Sequence, residues 1–564
     1  MHLLKEERLR SLGIASVRAG WVVFGVAILL VLCTPTECSE LPITVVNPSF
    51  ELPGTGTLIT DWSGIDGWGG SSGSGSGIEK NEYYSPVDGE WYAFGAGGES
   101  YTYQLTDHNI AAGEAYTLRV WARSKNSAGN TATTTAEVRF YYGSTEITSV
   151  TADVNPVRLL GDPRNYSNDD GGNVWIDQGY RVAFSENIFY QLASEDPLLD
   201  SWTRYNDSDY ETDMAVSPII TPQGFKAVSF TYYEDAPPFY SEISFITASG
   251  SPPNYDWSSS NTVVLYHDGY EDPWVIDSHL YYDDSTGRLW MSWGGGTFWV
   301  CEMDPNDGML INHPSNKEFD GHPEYHTEVA YWNGDEWSSD WFEGPALYKH
   351  NGYWYLFGSY GHLALNYTIR MGRGSSPTGP FYDKDGIAMT EWDSSESEYG
   401  NTLILGADGG QANPGHPHVW EENGKYYMGY DYTDEYTGSG VDRLGIRRLY
   451  WVDDWPVVAQ TPIEVTFNAN DYPAAIGQKL GISVRNTGDP ASRAAFDYVS
   501  LTYTEPPTPD IDDDNDVDFD DFAMFAAYWM ETGCGLCGGA DIHVDGNVDL
   551  YDLDEFTKDW LLGK

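Results

Sequence analysis

Short runs of alternating apolar and polar residues, separated by turns rich in Gly, Asn and Ser, fill most of this chain. A period of two punctuated by turn residues predicts antiparallel strands and no long helices. Near the start, residues 43–51 (ITVVNPSFE), 91–94, 101–105, 116–122 and 136–142 read as strands of a β-sandwich. Three more strands of the same character come far later, at 463–468, 480–485 and 495–503. The stretch between is therefore expected either to be inserted into one sandwich or to separate two small β-domains.

Between residues 156 and 460 one theme recurs, a carboxylate-bearing turn followed by a hairpin of aromatic strands. It appears at 173–185 (NVWIDQGYRVAFS), 276–293 (IDSHLYYDDSTGRLWMSW), 343–359 and 418–430 (HVWEENGKYYMGY). Radial repetition of small antiparallel sheets predicts a β-propeller, here of five blades. The stretch 341–361, WFEGPALYKHNGYWYLFGSYG, shows the theme most plainly. Asn351-Gly352 between apolar runs is a strong hairpin signal, so Glu343 would be a carboxylate fixed at the edge of a rigid sheet.

After Pro506, Pro507 and Pro509 the pattern turns acidic and helical. DIDDDNDVDFDD (510–521) and DIHVDGNVDLYD (541–552) each repeat oxygen-bearing side chains at loop positions 1, 5, 9 and 12, with Val517 or Val548 at position 8. Calcium takes six to eight oxygen ligands, and such spacing wraps one ion. The candidate ligands are Asp510, Asp512, Asp514, Asp516 and Asp521 in the first loop, and Asp541, Asp545, Asn547 and Asp552 in the second. His543 at position 3 weakens the second set. Helices are expected at 522–530 and 553–561.

Composition narrows the partners. Against 29 Lys and Arg stand 86 Asp and Glu, a net charge of −57, so nucleic acid and anionic membranes are poor partners. Basic residues followed by the apolar run 21–33 read as a signal peptide, too short to span a bilayer, with cleavage near Cys38 and no membrane span afterwards. Of five cysteines, Cys301, Cys534 and Cys537 remain in the exported chain, so disulfides do not organise the fold, though Cys534 and Cys537 can pair locally.

Several stretches resemble known families. The opening NPSFE and the late AAFDYVSLTY resemble bacterial carbohydrate-binding jelly rolls, in which Trp62, Trp68 and Trp91 would be sugar-stacking candidates. The duplicated acidic loops resemble a dockerin-like module, which implies calcium and a cohesin-like or cell-surface partner. The central motifs IDSHLYYDDSTGRLWMSW, EGPALYKHNGYWYLFGSYG, YTIRMGRGSSPTGPFYDKDG, NPGHPHVW and LGIRRLYWVDDWP stand in the order found in glycoside hydrolase family 43, and resemble most its endo-arabinanases and α-L-arabinofuranosidases.

That resemblance implies inverting hydrolysis of an arabinofuranosyl polysaccharide by two carboxyl groups about 6.5 to 9.5 Å apart. Glu343 matches the general acid and Asp277 the residue that modulates it, with Ser278 where a Pro is usual. Asp170, ten residues before Tyr180, is the expected general base, with Asp162, Asp169 and Asp177 as alternatives. His416 matches a histidine facing an ion in the propeller channel, with His418 as its neighbour. Arg447, or else Arg448, matches an arginine of the active centre. Trp274, Trp299 and Tyr360 are candidate stacking platforms. Gly344 replaces an Ala common in endo-acting relatives, so endo or exo action stays open.

The expected organisation is all-β apart from the tail: signal peptide 1–39, jelly-roll strands 40–155, a five-bladed propeller 156–460, closing jelly-roll strands 461–504, linker 505–509 and a calcium-binding module 510–564. The whole reads as a secreted or cell-surface bacterial glycosidase. β-Xylosidase or galactanase activity, or a non-catalytic carbohydrate-binding propeller, are the alternatives.

Overall fold

The computed structural model describes most of residues 40–560; among the stretches outside the described residues are 60–64, 81–90, 157–172, 206–213, 269–273, 332–340, 513–516, 534–536 and 543–545. The expected leader, Trp62, Asp162, Asp169, Asp170, Cys534, His543 and the loop ligands Asp514, Asp516 and Asp545 therefore lie outside the described residues. No helix among the described residues is long and apolar enough to cross a membrane.

Within the larger unit, Glu40–Glu505, two antiparallel sheets form a sandwich. The seven-stranded sheet runs Leu58–Ile59, Ser76–Lys80, Trp91–Ala96, Arg493–Thr504, Ala115–Ser124, Thr461–Asn468, with Leu41–Pro42 beside Arg493–Thr504. The five-stranded sheet runs Gly69–Gly70, Tyr101–Asn109, Lys479–Asn486, Thr135–Tyr142, Thr145–Asp153. Arg493–Thr504 and Lys479–Asn486 are thus interior strands, each flanked on both sides by strands from before the propeller. Period-two alternation aims Tyr116, Leu118 and Val120, with Phe467 and Phe496 of the same sheet, at Phe140 and Ile482 of the other in one shared core. Leu58–Ile59, Gly69–Gly70, Ser76–Lys80 and Thr145–Asp153 enlarge the sandwich beyond the strands legible in the sequence, whereas residues 43–50, expected as a strand, form none. Trp68 is buried in it, its indole N–H donating to the Val46 and Asn47 carbonyls at 2.9 and 3.1 Å.

Five antiparallel sheets of consecutive strands follow, beginning at Asn173–Asp177, Met214–Ile220, His279–Asp283, Phe342–His350 and Gln411–Glu422. These five innermost strands touch one another in turn, and the last touches the first. The result is a closed five-bladed propeller, in which radial repetition leaves each inner edge short and covered by its neighbours. Three inner hairpins share a turn with positive φ at both central residues: Gln178-Gly179 (46°, 84°), Asn351-Gly352 (49°, 83°) and Asn423-Gly424 (53°, 72°). That geometry matches the right-handed twist of the flanking strands. The blade missing from the sequence pattern is the second; its inner hairpin, Met214–Ile220 and Lys226–Glu234, turns through Gly224 without an Asn-Gly pair.

Side chains close the ring. Arg181 of the first blade grips Glu422 of the fifth through Nε to Oε2 at 2.5 Å and Nη2 to Oε1 at 2.8 Å, both side chains buried. His279 Nδ1 accepts the Leu347 N–H at 3.3 Å, and its Nε2 lies 2.9 Å from His418 Nδ1. His418 in turn bonds the Val174 backbone. Burial and the facing His418 hold His279 well below the ordinary imidazole range, and burial pushes His418 down to about 4. Both rings are therefore neutral, and one proton per ring lets the chain of donors and acceptors tie four blades together. The fifth blade also meets the sandwich: Trp121 packs edge-on against Tyr450 at 5.1 Å, and the Gly409 N–H donates to the Asn126 carbonyl at 3.2 Å.

In the C-terminal unit, α1 (Phe519–Ala527) and α2 (Leu550–Asp559) each begin with a capping box, Asp518 with Asp521 and Asp549 with Asp552. They start three residues earlier than expected, because loop position 9 is the N-cap and position 12 lies in the first helical turn. Phe525, Phe556, Ile511 and Val548 form their core. Cys537 is disulfide-bonded.

Candidate active site

Glu343 sits on the innermost strand of the fourth blade at a β-bulge between Glu343 and Ala346, a device that re-aims a side chain without ending the strand. Gly344 supplies the bulge with φ +63°, a conformation that a Cβ would penalise. Both carboxyl oxygens of Glu343 are held. The Tyr367 hydroxyl donates to Oε1 at 2.6 Å and the Trp341 indole N–H to Oε2 at 2.9 Å.

Asp277 lies just before the innermost strand of the third blade, 7% exposed, with φ +53°. Its N–H donates to Thr231 Oγ1 at 2.8 Å, and its Oδ2 accepts the Gly344 N–H at 3.1 Å. Asp277 is therefore anchored directly to the residue after Glu343. Where a Pro was expected, Ser278 gives its hydroxyl to a 2.9 Å contact with Ser229 Oγ of the second blade. His416 completes the group: Nε2 is 3.4 Å from Asp277 Oδ2, Nδ1 is 3.9 Å from Asp431 Oδ1, and its N–H donates to Ser359 Oγ at 2.9 Å. Asn173, Asp277, Ser278, His279, Gly344 and His416 line one central cavity.

The structure thus brings Asp277, Glu343 and His416 together. Bulges at Ala412/Gly415 and Gly415/His418 interrupt the strand that carries the two histidines, so simple alternation does not govern them, and His418 takes His279 as partner instead. Arg447 is buried and engaged within its own blade, through Nη1 to Asp408 at 2.9 Å, Nη2 to Gln411 at 2.9 Å and Nε to the Tyr430 hydroxyl at 2.7 Å. Arg448 lies over the Tyr427 and Tyr450 rings. Trp299 stacks on Trp293 against the core of the second and third blades, and Tyr360 is buried beside Phe342. Trp274 is half-buried and bridged through its backbone to Gly295. Asp177, an alternative base, is tied to Lys226 and to the Tyr255 hydroxyl.

Trp341, Tyr367 and Asp431 were not singled out from the sequence. Tyr367 heads the motif YTIRMGRGSSPTGPFYDKDG, and Asp431 interrupts the aromatic run YYMGYDY, which was the available signal.

Among the described residues, one group of three acidic or imidazole side chains has ligand atoms within 4.8 Å of one another, Asp510, Asp512 and Asp521. Asp521 is fully buried, and its Oδ1 accepts the Ile511 and Asp512 N–H groups. Three carboxylates that close repel strongly in a partly buried site, so this donor set fits a hard divalent cation. In the second loop Asp541 and Asp552 are also buried, and the Gly546 N–H donates to Asp541 Oδ2 at 2.8 Å. Asp277, His416 and Asp431 are not drawn together as tightly.

The chain is similar to several known proteins. The extracellular endo-α-(1→5)-L-arabinanase of Thermotoga petrophila is 29% identical over 303 residues, 49% of this chain and 59% of that protein. An extracellular exo-α-(1→5)-L-arabinofuranosidase of Cellvibrio japonicus is 26% identical over 234 residues, 39% of this chain and 61% of that protein. The chain thus spans about three fifths of the length of these two relatives. The solved endo-1,5-α-L-arabinanase structure from Thermotoga petrophila aligns with TM-score 0.41 at 20% identity, covering 53% of this chain and 75% of that one. Residues 230–456, the stretch that carries Asp277, Glu343, Tyr367 and His416, match the family model for glycosyl hydrolases family 43.

Proposed function

We propose that this chain is an exported glycosidase that cleaves α-L-arabinofuranosyl linkages in arabinan-type polysaccharides with inversion. The observation that carries the reading is the coupling of two carboxyl groups across one glycine. Asp277 Oδ2 accepts the Gly344 N–H while Glu343, the preceding residue, presents its carboxyl from the bulge, all within the family 43 stretch. In this reading Glu343 passes its proton to the glycosidic oxygen, which leaves with the electron pair of the broken C–O bond. A water adds to the anomeric carbon from the opposite face, giving its proton to a carboxylate base. Asp170 is proposed as that base, with Asp162 as the alternative. Asp277, buried and hydrogen-bonded to the residue that follows Glu343, is proposed as the residue that modulates this acid.

The sandwich is proposed as a jelly-roll carbohydrate-binding module and the C-terminal unit as a dockerin-like module that binds calcium. Supporting a partner for the latter, Phe519, Leu550 and Tyr551 are 70%, 71% and 64% exposed at the first turns of the two helices. An ion facing His416 in the propeller channel is proposed on the family resemblance. Relatives of both endo and exo type leave the cleavage mode to experiment.

The test is a panel of arabinan, arabino-oligosaccharides, xylan and galactan, followed by NMR of the anomer first released. Arabinan turnover with initial inversion is expected. Turnover of another polymer alone would move the substrate assignment, and initial retention would exclude the mechanism.

A further inference from the structure

The grip on Glu343 comes from two places in the fold. Trp341 precedes the strand Phe342–His350, whereas Tyr367 precedes Thr368–Gly374, two strands away in the same blade. Tyr367 is 1% exposed, and its seat exists because residue 415 of the fifth blade is glycine. A Cβ on Gly415 would fall 2.2 Å from Tyr367 Cε1 and 2.5 Å from Cδ1. An indole N–H can only donate, whereas a phenol hydroxyl can donate or accept. Trp341 therefore pins Oε2 as an acceptor, and Tyr367 can stay bonded to Oε1 whether Glu343 is ionised or protonated. With both oxygens held, the plane of the carboxyl group is fixed relative to the cavity.

We infer that Tyr367 is a positioning residue for Glu343: its hydroxyl, seated by Gly415, holds the carboxyl group in the orientation from which it protonates the leaving oxygen. The inference rests on the glycosidase reading above. A fixed direction of proton delivery matters only when the leaving group needs the proton. Tyr367→Phe keeps the ring, and with it the packing, and removes only the hydroxyl.

The experiment compares two leaving groups in the full chain, an arabino-oligosaccharide whose sugar leaving group must be protonated and a nitrophenyl arabino-oligosaccharide whose phenolate departs unaided. For Tyr367→Phe, kcat/KM on the first is expected to fall about 10- to 100-fold, and on the second no more than about threefold, with the thermal unfolding midpoint unchanged. Gly415→Ala, which displaces the ring, is expected to reproduce the same split. Equal losses on both substrates in both variants would overturn the positioning role while leaving the glycosidase reading intact. A wild-type chain that hydrolyses neither substrate would remove the reading and the inference together.

Discussion

A single missing methyl group shapes this site. At Gly344 an added Cβ would lie 3.0 Å from Ser359 Oγ and 3.1 and 3.2 Å from His416 Cδ2 and Nε2, on a backbone with φ +63°. Gly344→Ala therefore combines about 1 kcal/mol of left-handed strain with pressure on the imidazole that faces Asp277. It is expected to lower kcat/KM on arabinan about tenfold or more while leaving the chain folded, as steady-state kinetics and circular dichroism would read. Glu343 and Asp277 were legible in the sequence because each opens a hairpin within a motif whose order is informative. Their partners were not. Tyr367 and Asp431 reach the site from other strands, Trp341 stands just ahead of the strand that carries Glu343, and a bulge at Gly415 breaks the alternation that would have placed His416. A linear pattern does not encode which strands become neighbours around a ring.

Hairpins were the most readable elements, because an Asn-Gly turn has a backbone signature of its own. The second blade escaped notice because its inner hairpin, with the turn TPQGF at 221–225, lacks the carboxylate-bearing turn by which the other units were read, and the early helix starts follow from caps placed inside the acidic loops. Two consequences belong to this scale. Arg181 and Glu422 form a buried bidentate ion pair across the seam between the first and last blades. Removing one partner strands a buried charge, so Arg181→Leu is expected to cost about 3–5 kcal/mol, measurable as a shift in urea midpoint; a shift within error would show that the seam does not depend on this pair. The sandwich depends on strands from both sides of the propeller, since Lys479–Asn486 and Arg493–Thr504 lie inside its two sheets. A chain ending at residue 460 would open both sheets mid-row, and residues 40–155 are expected to become protease-sensitive. Protection equal to that of the full chain would contradict this dependence.

On the scale of the whole molecule, a net charge of −57 is borne in part by carboxylates that the fold gathers. Asp510, Asp512 and Asp521 converge, and Asp541 and Asp552 are buried. Calorimetric titration of the full chain with calcium is expected to show binding that Asp521→Ala removes from the first loop. Identical heats in both proteins would refute that site. The all-β character, the blade number and the central carboxylates could be read from periodicity and motif order. The participation of both flanks in each sheet could only be suspected, because strand pairing over hundreds of residues leaves no local trace.

The central claim is that Glu343 is the proton donor of an arabinan-cleaving glycosidase, and Glu343→Gln tests it most directly. The amide keeps the shape of the side chain but has no acidic proton to give. Reducing-sugar release from arabinan by the variant is expected to fall by about 100-fold or more, while the variant still binds arabino-oligosaccharide in a calorimetric titration. Hydrolysis at the wild-type rate by Glu343→Gln would contradict the account.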